Sequence, residues 1–414
     1  MTTLSNGLRV LTETMPGVES VALGVWADAG SSDESPSEFG QAHCLEHMLF
    51  KGTQTRSAFE LAEAIEDVGG QVNAFTERET THLFSRVLAE HLPVAVDLLG
   101  DMICRSTFPE AELSRERQVI IEEILKYESL PDERIHDLIM DGLWHEGALG
   151  HPILGSEDSI RLLQRKDIVA CWQRHFSADR VLITAAGKLE HEALTAMVET
   201  AFADLPAPRV AWPQFPQGTC VPRILIEEDE EQVNCCWGNR TFPARDERNF
   251  PLAMIDAVLG DSTTSRLFQE VREKRGLAYD IGSYTMGFRE TGLICATAAM
   301  SLETFPRVLE LIRQEVEKLR QEGISGKELL RAKEQMKAGM ALSLESTVDR
   351  MRTLATQLLT WDTVYPIAYL IDRMNQVTLE DVRQVIEEVL NLERWTFTAI
   401  GPIDERIVTD IIGA

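Results

Sequence analysis

Five consecutive residues, His43-Cys44-Leu45-Glu46-His47, have the types and spacing to do chemistry. On a helix, positions i and i+4 share a face with their Cβ atoms roughly 5–6 Å apart. Two imidazoles so placed can bind one zinc ion. Glu46 stands three residues after His43, beside the same point, where a carboxylate can take a proton from a zinc-activated water. The order inverts the H-E-x-x-H pattern of zinc peptidases. The flanking Phe39, Leu45, Met48, Leu49 and Phe50 are apolar, so the helix is expected to be largely buried. A buried His-Glu-His cluster is costly unless it is paired or metal-bound.

Catalytic zinc takes three protein ligands and keeps one position open. The segment SRERQVIIEEILKYE, from Ser114, offers Glu122 and Glu123. At about 100° per residue, Glu123 falls within ~60° of Val119, Ile120 and Tyr127, the expected inward stripe. Glu122 falls beside Arg115, Gln118 and Lys126. Glu123 is therefore expected to be the buried carboxylate and the third ligand. Glu116, two turns earlier on that stripe, could hold a ligand or steer the water. The rival ligands His145 and His151 are flanked by Gly and Pro and read as loop residues. His82, His91, His136, His175 and His191 read as surface or core histidines. All nine histidines precede residue 192, so any His-dependent chemistry belongs to the first half.

The elements that must position these residues follow from periodicity. Helical patterns cover 57–68, 110–129, 306–322, 327–342 and 378–391. Strand patterns cover 20–27, 71–76, 82–88, 181–186, 223–227 and 395–400. Prolines at 206, 208, 213, 216 and 222 can run through neither a helix nor a central strand. They place a linker at 207–222 between a zinc-bearing domain, 1–206, and a second domain, 223–414. The halves begin alike: GLRVLTE leads to SVALGVWADAGSSDE, and RILIEED to QVNCCWGNRTFPARDE, each followed by a helical stretch. A repeat of roughly 200 residues is too long for a solenoid. It predicts two tandem homologous α+β domains, each a mainly antiparallel sheet covered by helices.

The 414 residues are 44% hydrophobic and 26% charged, as in core-forming globular proteins. A net charge of −27 argues against nucleic acid, whose phosphates need clustered Lys and Arg. The same charge allows attraction of basic peptides. No apolar run approaches the ~18 residues of a membrane span, and no secretory signal is visible. Seven cysteines, an odd number without C-x-x-C, fit free thiols in a reducing cytoplasm.

With Glu123 added, the pattern H-x-x-E-H…E resembles the pitrilysin family of inverted-motif zinc peptidases, which includes insulysin and the mitochondrial processing peptidase. The similarity runs through AHCLEHMLFKGT, GGQVNAFTERETT, ERQVIIEEI and SRLFQEVREKRGLAY, and so spans both halves. The length is that of the family's half-size members, which pair two chains into a chamber. The resemblance implies one Zn²⁺ per chain held by His43, His47 and Glu123. It makes Glu46 the general base and places Glu116 behind the ligands. It implies that Asn73, Ala74, Phe75 and Thr76, after Gly69-Gly70, form an edge strand on which a peptide lies by strand addition. Arg272 and Tyr279 match the family's R-x6-Y pair, which contacts the substrate and its carbonyl. The chain departs from the family at Cys44, where a Phe or similar residue is common. Its 260–265 stretch is also less glycine-rich than in many relatives. The implied activity is peptide-bond hydrolysis by a homodimer, or by a heterodimer with an inactive homologue. The alternatives are a non-catalytic subunit of the same fold and a zinc hydrolase acting on something other than peptides.

Overall fold

The computed structural model describes residues 1–206, 217–228 and 230–412. Of the linker expected at 207–222, residues 207–216 lie outside the described residues. The first sheet contains β1 (Thr2–Thr3), β2 (Arg9–Thr14), β3 (Ser20–Ala27), β4 (Gln71–Thr76), β5 (Thr81–Leu88) and β6 (Val181–Gly187). Their spatial order is β1-β2-β6-β3-β5-β4. Only β2 and β6 pair in parallel.

The second sheet contains β7 (Arg223–Glu227), β8 (Gln232–Thr241), β9 (Asp280–Gly287), β10 (Gly292–Ser301) and β11 (Thr396–Gly401), in the order β7-β11-β8-β10-β9. Here too a single pair, β7 with β11, is parallel. With β1 set aside, the two sheets share one connectivity. In each half, the first strand lies beside the fifth, then come the second, fourth and third. The protein is thus an α+β chain with a duplicated sheet topology.

All seven residues of β6, Val181–Gly187, are buried. A strand with no wet side needs cover on both faces. On one face lie α1 (Gln41–Leu49), α2 (Ala58–Glu66), α3 (Leu92–Arg105) and α4 (Glu110–Glu128), which build the main core with Leu23, Val25, Leu83 and Ile183. The other face is covered from far along the chain. Met351, Leu354, Ala355 and Leu358 of the helix Thr347–Trp361 pack on Leu11, Ala22, Trp26, Leu182 and Ala186. The contact is close: a Cβ at Gly24 would stand 2.7 Å from Met351 Sδ.

The second sheet is covered reciprocally. Helix α5 (Pro131–Leu143), from the first half, places Ile135, Ile139, Met140 and Leu143 against Cys236, Leu293, Cys295 and Ile400. The compact units therefore interleave along the chain. The first takes in Met1–Lys126, the chain from His151 to the linker, and Ala341–Val364. The second takes in Tyr127–Gly150, Gln217–Met340 and the chain from Tyr365 onward.

The periodic segments appear close to their expected places, as Ala58–Glu66, Glu110–Glu128, Phe305–Glu322, Gly326–Ser343 and Leu379–Val389. Ser57 accepts from Glu60 N, and the Glu60 carboxylate accepts from Ser57 N, which fixes the start of α2. Among the described residues no helix is long and apolar enough to cross a membrane. The seven cysteines are free thiols.

Candidate metal centre

Helix α1 begins at Gly40, whose φ of +86° favours glycine. A Cβ there would stand 2.7 Å from Leu154 O and from Ile160 Cδ1. The first turn of α1 is capped from outside the helix. One oxygen of the buried Glu34 carboxylate accepts from Gly40 N at 2.9 Å, the other from Ala42 N at 2.6 Å. A negative charge at this end also suits the helix dipole. His151, expected as a loop residue and rival ligand, is buried. Its Nε2 lies 3.5 Å from Glu34 and 2.9 Å from Ser31 O, and its ring stacks on Phe39. His145 pairs with Asp141. Neither joins the metal-donor cluster.

One turn into α1 the two imidazoles meet, with ring centroids 4.6 Å apart. His43 Nε2 stands 3.8 Å and His47 Nε2 3.7 Å from the same oxygen, Oε2 of Glu123. The three donor atoms lie within 4.8 Å of one another, close to the separations that zinc–ligand bonds of about 2.0–2.2 Å span. The donor set of two imidazoles and one carboxylate suits zinc. Burial, with His47 beside it, lowers the His43 pKa to about 3, which leaves the ring neutral and its lone pair free. His43 Nδ1 is buried without a hydrogen-bond partner. His47 Nδ1 lies 3.0 Å from the buried Glu116, whose second oxygen takes Lys51 Nζ at 2.8 Å.

The burial expected of Glu123 is corrected by the structure: its side chain is 44% exposed. The core-facing arc of α4 is Leu113, Glu116, Ile120, Ile121 and Ile124, whereas Val119 is exposed. Val119 drew the expected stripe off centre. Glu123 stands at the rim of the true arc, half-exposed, where its oxygen still reaches the imidazoles.

Glu46 points to the neighbouring strand and accepts from the Thr76 hydroxyl at 2.5 Å. Burial raises its carboxyl above the ordinary range, opposed by the Thr76 bond and by His47. Thr76 ends β4, and Asn73, Ala74 and Phe75 precede it on that strand. β4 pairs with β5 and is the outer strand of its sheet, so its other side has no strand partner among the described residues. Arg272 and Tyr279 belong to the second unit. Arg272 lies on the helical turn Phe268–Glu273, and Tyr279 precedes β9 with its ring exposed. The guanidinium sits 4.9 Å from the Tyr279 ring centroid and 5.1 Å from that of Phe268.

Sequence reasoning missed Glu34 and Lys51, and it placed Thr76 on the peptide strand without its bond to Glu46. Lys51 had a signal, since it follows His47 by one helical turn. Glu34 and Thr76 act across loops and strands, which periodicity does not describe.

Residues 9–157 match the family model described as "Insulinase (Peptidase family M16)", and residues 163–336 the one described as "Peptidase M16 inactive domain". A protein of Streptomyces coelicolor named as an uncharacterized zinc protease is 36% identical over 98% of this chain and 90% of its own length. The zinc protease YmxG of Bacillus subtilis, also named as uncharacterized, is 36% identical over 97% of each chain. Among solved structures, a protease from Helicobacter pylori matches with a TM-score of 0.90 at 21% identity, over 97% of this chain and 98% of that one. A peptidase M16 inactive domain from Pseudomonas fluorescens matches with a TM-score of 0.89 at 22% identity, over 97% of each. The inactive-domain match starts at residue 163 and runs across the linker into the second half, whereas the whole His-His-Glu cluster falls in the other match. With full-length relatives of this kind and both halves assigned, the chain belongs to the insulinase family of peptidases, family M16.

Proposed function

We propose that this protein is a zinc-dependent endopeptidase that cleaves peptides or unfolded, presequence-like segments. One observation carries the reading: three metal-donor atoms converge beside the Glu46 carboxylate, next to the open edge of β4. His43, His47 and Glu123 would hold the ion. Bound zinc would supply Lewis-acid activation of water and of a carbonyl. The peptide adds to β4 by main-chain hydrogen bonds, which hold an extended chain with little sequence demand. Glu46, the general base, takes a proton from the attacking water and passes it to the leaving amine. Glu116 accepts from His47 Nδ1 and so keeps the Nε2 lone pair toward the donor cluster. Arg272 and Tyr279 are proposed to contact the substrate and its carbonyl.

Glu46→Gln tests the reading. The variant should hold one zinc per chain and lose at least about 100-fold in peptide cleavage. Cleavage at the wild-type rate would remove Glu46 from the mechanism. The working assembly is proposed to be a homodimer, or a heterodimer with an inactive homologue. Mass by light scattering on the lone chain separates them. With a net charge of −27, basic peptides are the proposed substrates. Equal salt dependence for Arg-rich and acidic peptides would remove charge steering.

A further inference from the structure

Side chains alternate across β4. Ala74 and Thr76 face α1 and the metal-donor cluster, whereas Phe75 faces the other way and is 40% exposed. On that opposite face the helix Thr347–Trp361 presents Arg352. Its guanidinium carbon lies 5.5 Å from the Phe75 ring centroid and 5.4 Å from that of Phe84. The two rings stack at 6.2 Å, and Phe75 continues to His82, whose ring stacks on Trp26. Among the described residues no carboxylate comes within ion-pair distance of Arg352, and its buried Nε has no partner. Most other arginines of this acidic chain have a carboxylate, as Arg350 does in Glu13. His82, which feels this guanidinium, has its pKa lowered first by burial and then by it.

We propose that Phe75 and Arg352 form a specificity subsite for a carboxylate side chain of the bound peptide, glutamate before aspartate. The proposal rests on the peptidase reading and deepens it. A strand added to β4 runs about 4.8 Å away, so every second side chain of the peptide shares the face of Phe75, and the one in register with it lies beside its ring. A glutamate there can lay its methylenes along the exposed ring and set its carboxylate against the terminal N–H groups of Arg352. The shorter aspartate falls short of the guanidinium. The rings hold the guanidinium in place before the peptide arrives. The preference belongs to one face of the peptide, so it is compatible with a basic substrate overall.

Cleavage of an internally quenched peptide library by the zinc-loaded full chain tests this. The wild type should cleave peptides with Glu roughly tenfold faster, by kcat/KM, than the same peptides with Lys, a difference of about 1.4 kcal/mol. The effect should be confined to one peptide position, the one in register with Phe75. Arg352→Gln should bring the Glu:Lys ratio near one, and Arg352→Glu should invert it. An active wild type with no acidic preference, or a preference that survives both substitutions, overturns the subsite and leaves the peptidase reading standing. A zinc-loaded wild type that cleaves no peptide overturns both. Should the variants fail to fold, the wild-type profile still decides.

Discussion

Glu116 joins the imidazole of His47 to the ammonium of Lys51, at 3.0 Å and 2.8 Å from its two oxygens. The carboxylate fixes the proton of His47 on Nδ1, which turns the Nε2 lone pair toward Glu123. Lys51 pairs with that buried carboxylate from its other side. Glu116→Gln removes the charge and frees the tautomer. Zinc affinity, measured by chelator competition, should fall about 10–100-fold. Unchanged affinity would reduce Glu116 to a packing residue.

The cap on α1 gives a second expectation. Each oxygen of Glu34 accepts one amide, from Gly40 and from Ala42. Glu34→Gln would turn an NH2 group toward one of those N–H donors, in a site that is fully buried. The substitution should cost about 1–3 kcal/mol in denaturant unfolding. It should also weaken zinc binding, because it loosens the turn that leads into His43. Unaltered unfolding with unaltered zinc affinity would show that the cap is dispensable.

His82 sets a pH dependence of stability. Burial first, then Arg352, lowers its pKa from 6.5 to about 4 in the fold. Unfolded chains take up a proton near 6.5, and the folded chain does not until about 4. Stability is therefore full above pH 6.5 and falls as pH drops through this window. His82→Phe keeps the ring against Trp26 and removes the titration. Between pH 7 and pH 4 the wild type should lose about 3 kcal/mol relative to the variant. Parallel stability curves for the two proteins would refute the assignment.

The readable parts of this fold were those governed by local period. Strands 20–27, 71–76 and 223–227 alternate or run apolar over the lengths at which they form, and Ser57 with Glu60 announces the start of α2. The metal helix was legible because its donors are four residues apart. Two things were not. The orientation of Glu123 depends on which apolar residues of α4 reach the core, and Val119 is apolar yet exposed. The partner of a buried helix face is also silent in the sequence. Period says that Ile135, Ile139 and Met140 are inward, but not that the sheet they cover is made later in the chain.

That exchange of helices makes the last prediction. Residues 1–206 contain every strand of the first sheet and the whole donor set. They lack the helix Thr347–Trp361, which buries Leu11, Ala22, Trp26, Leu182 and Ala186. Burial of Met351, Leu354 and Leu358 stabilises by roughly 1.5–3 kcal/mol each. That total is comparable with the whole stability of a typical domain, about 5–15 kcal/mol. A 1–206 fragment in which 127–150, which pack on the second sheet, are replaced by a short flexible linker should therefore bind a hydrophobic dye and unfold with low cooperativity. The same fragment followed by the linker and residues 341–364 should recover a sharp transition several degrees higher. Were the short fragment to melt cooperatively and stay free of dye, the bare sheet face would need no cover, and the interleaving would be decoration rather than structure.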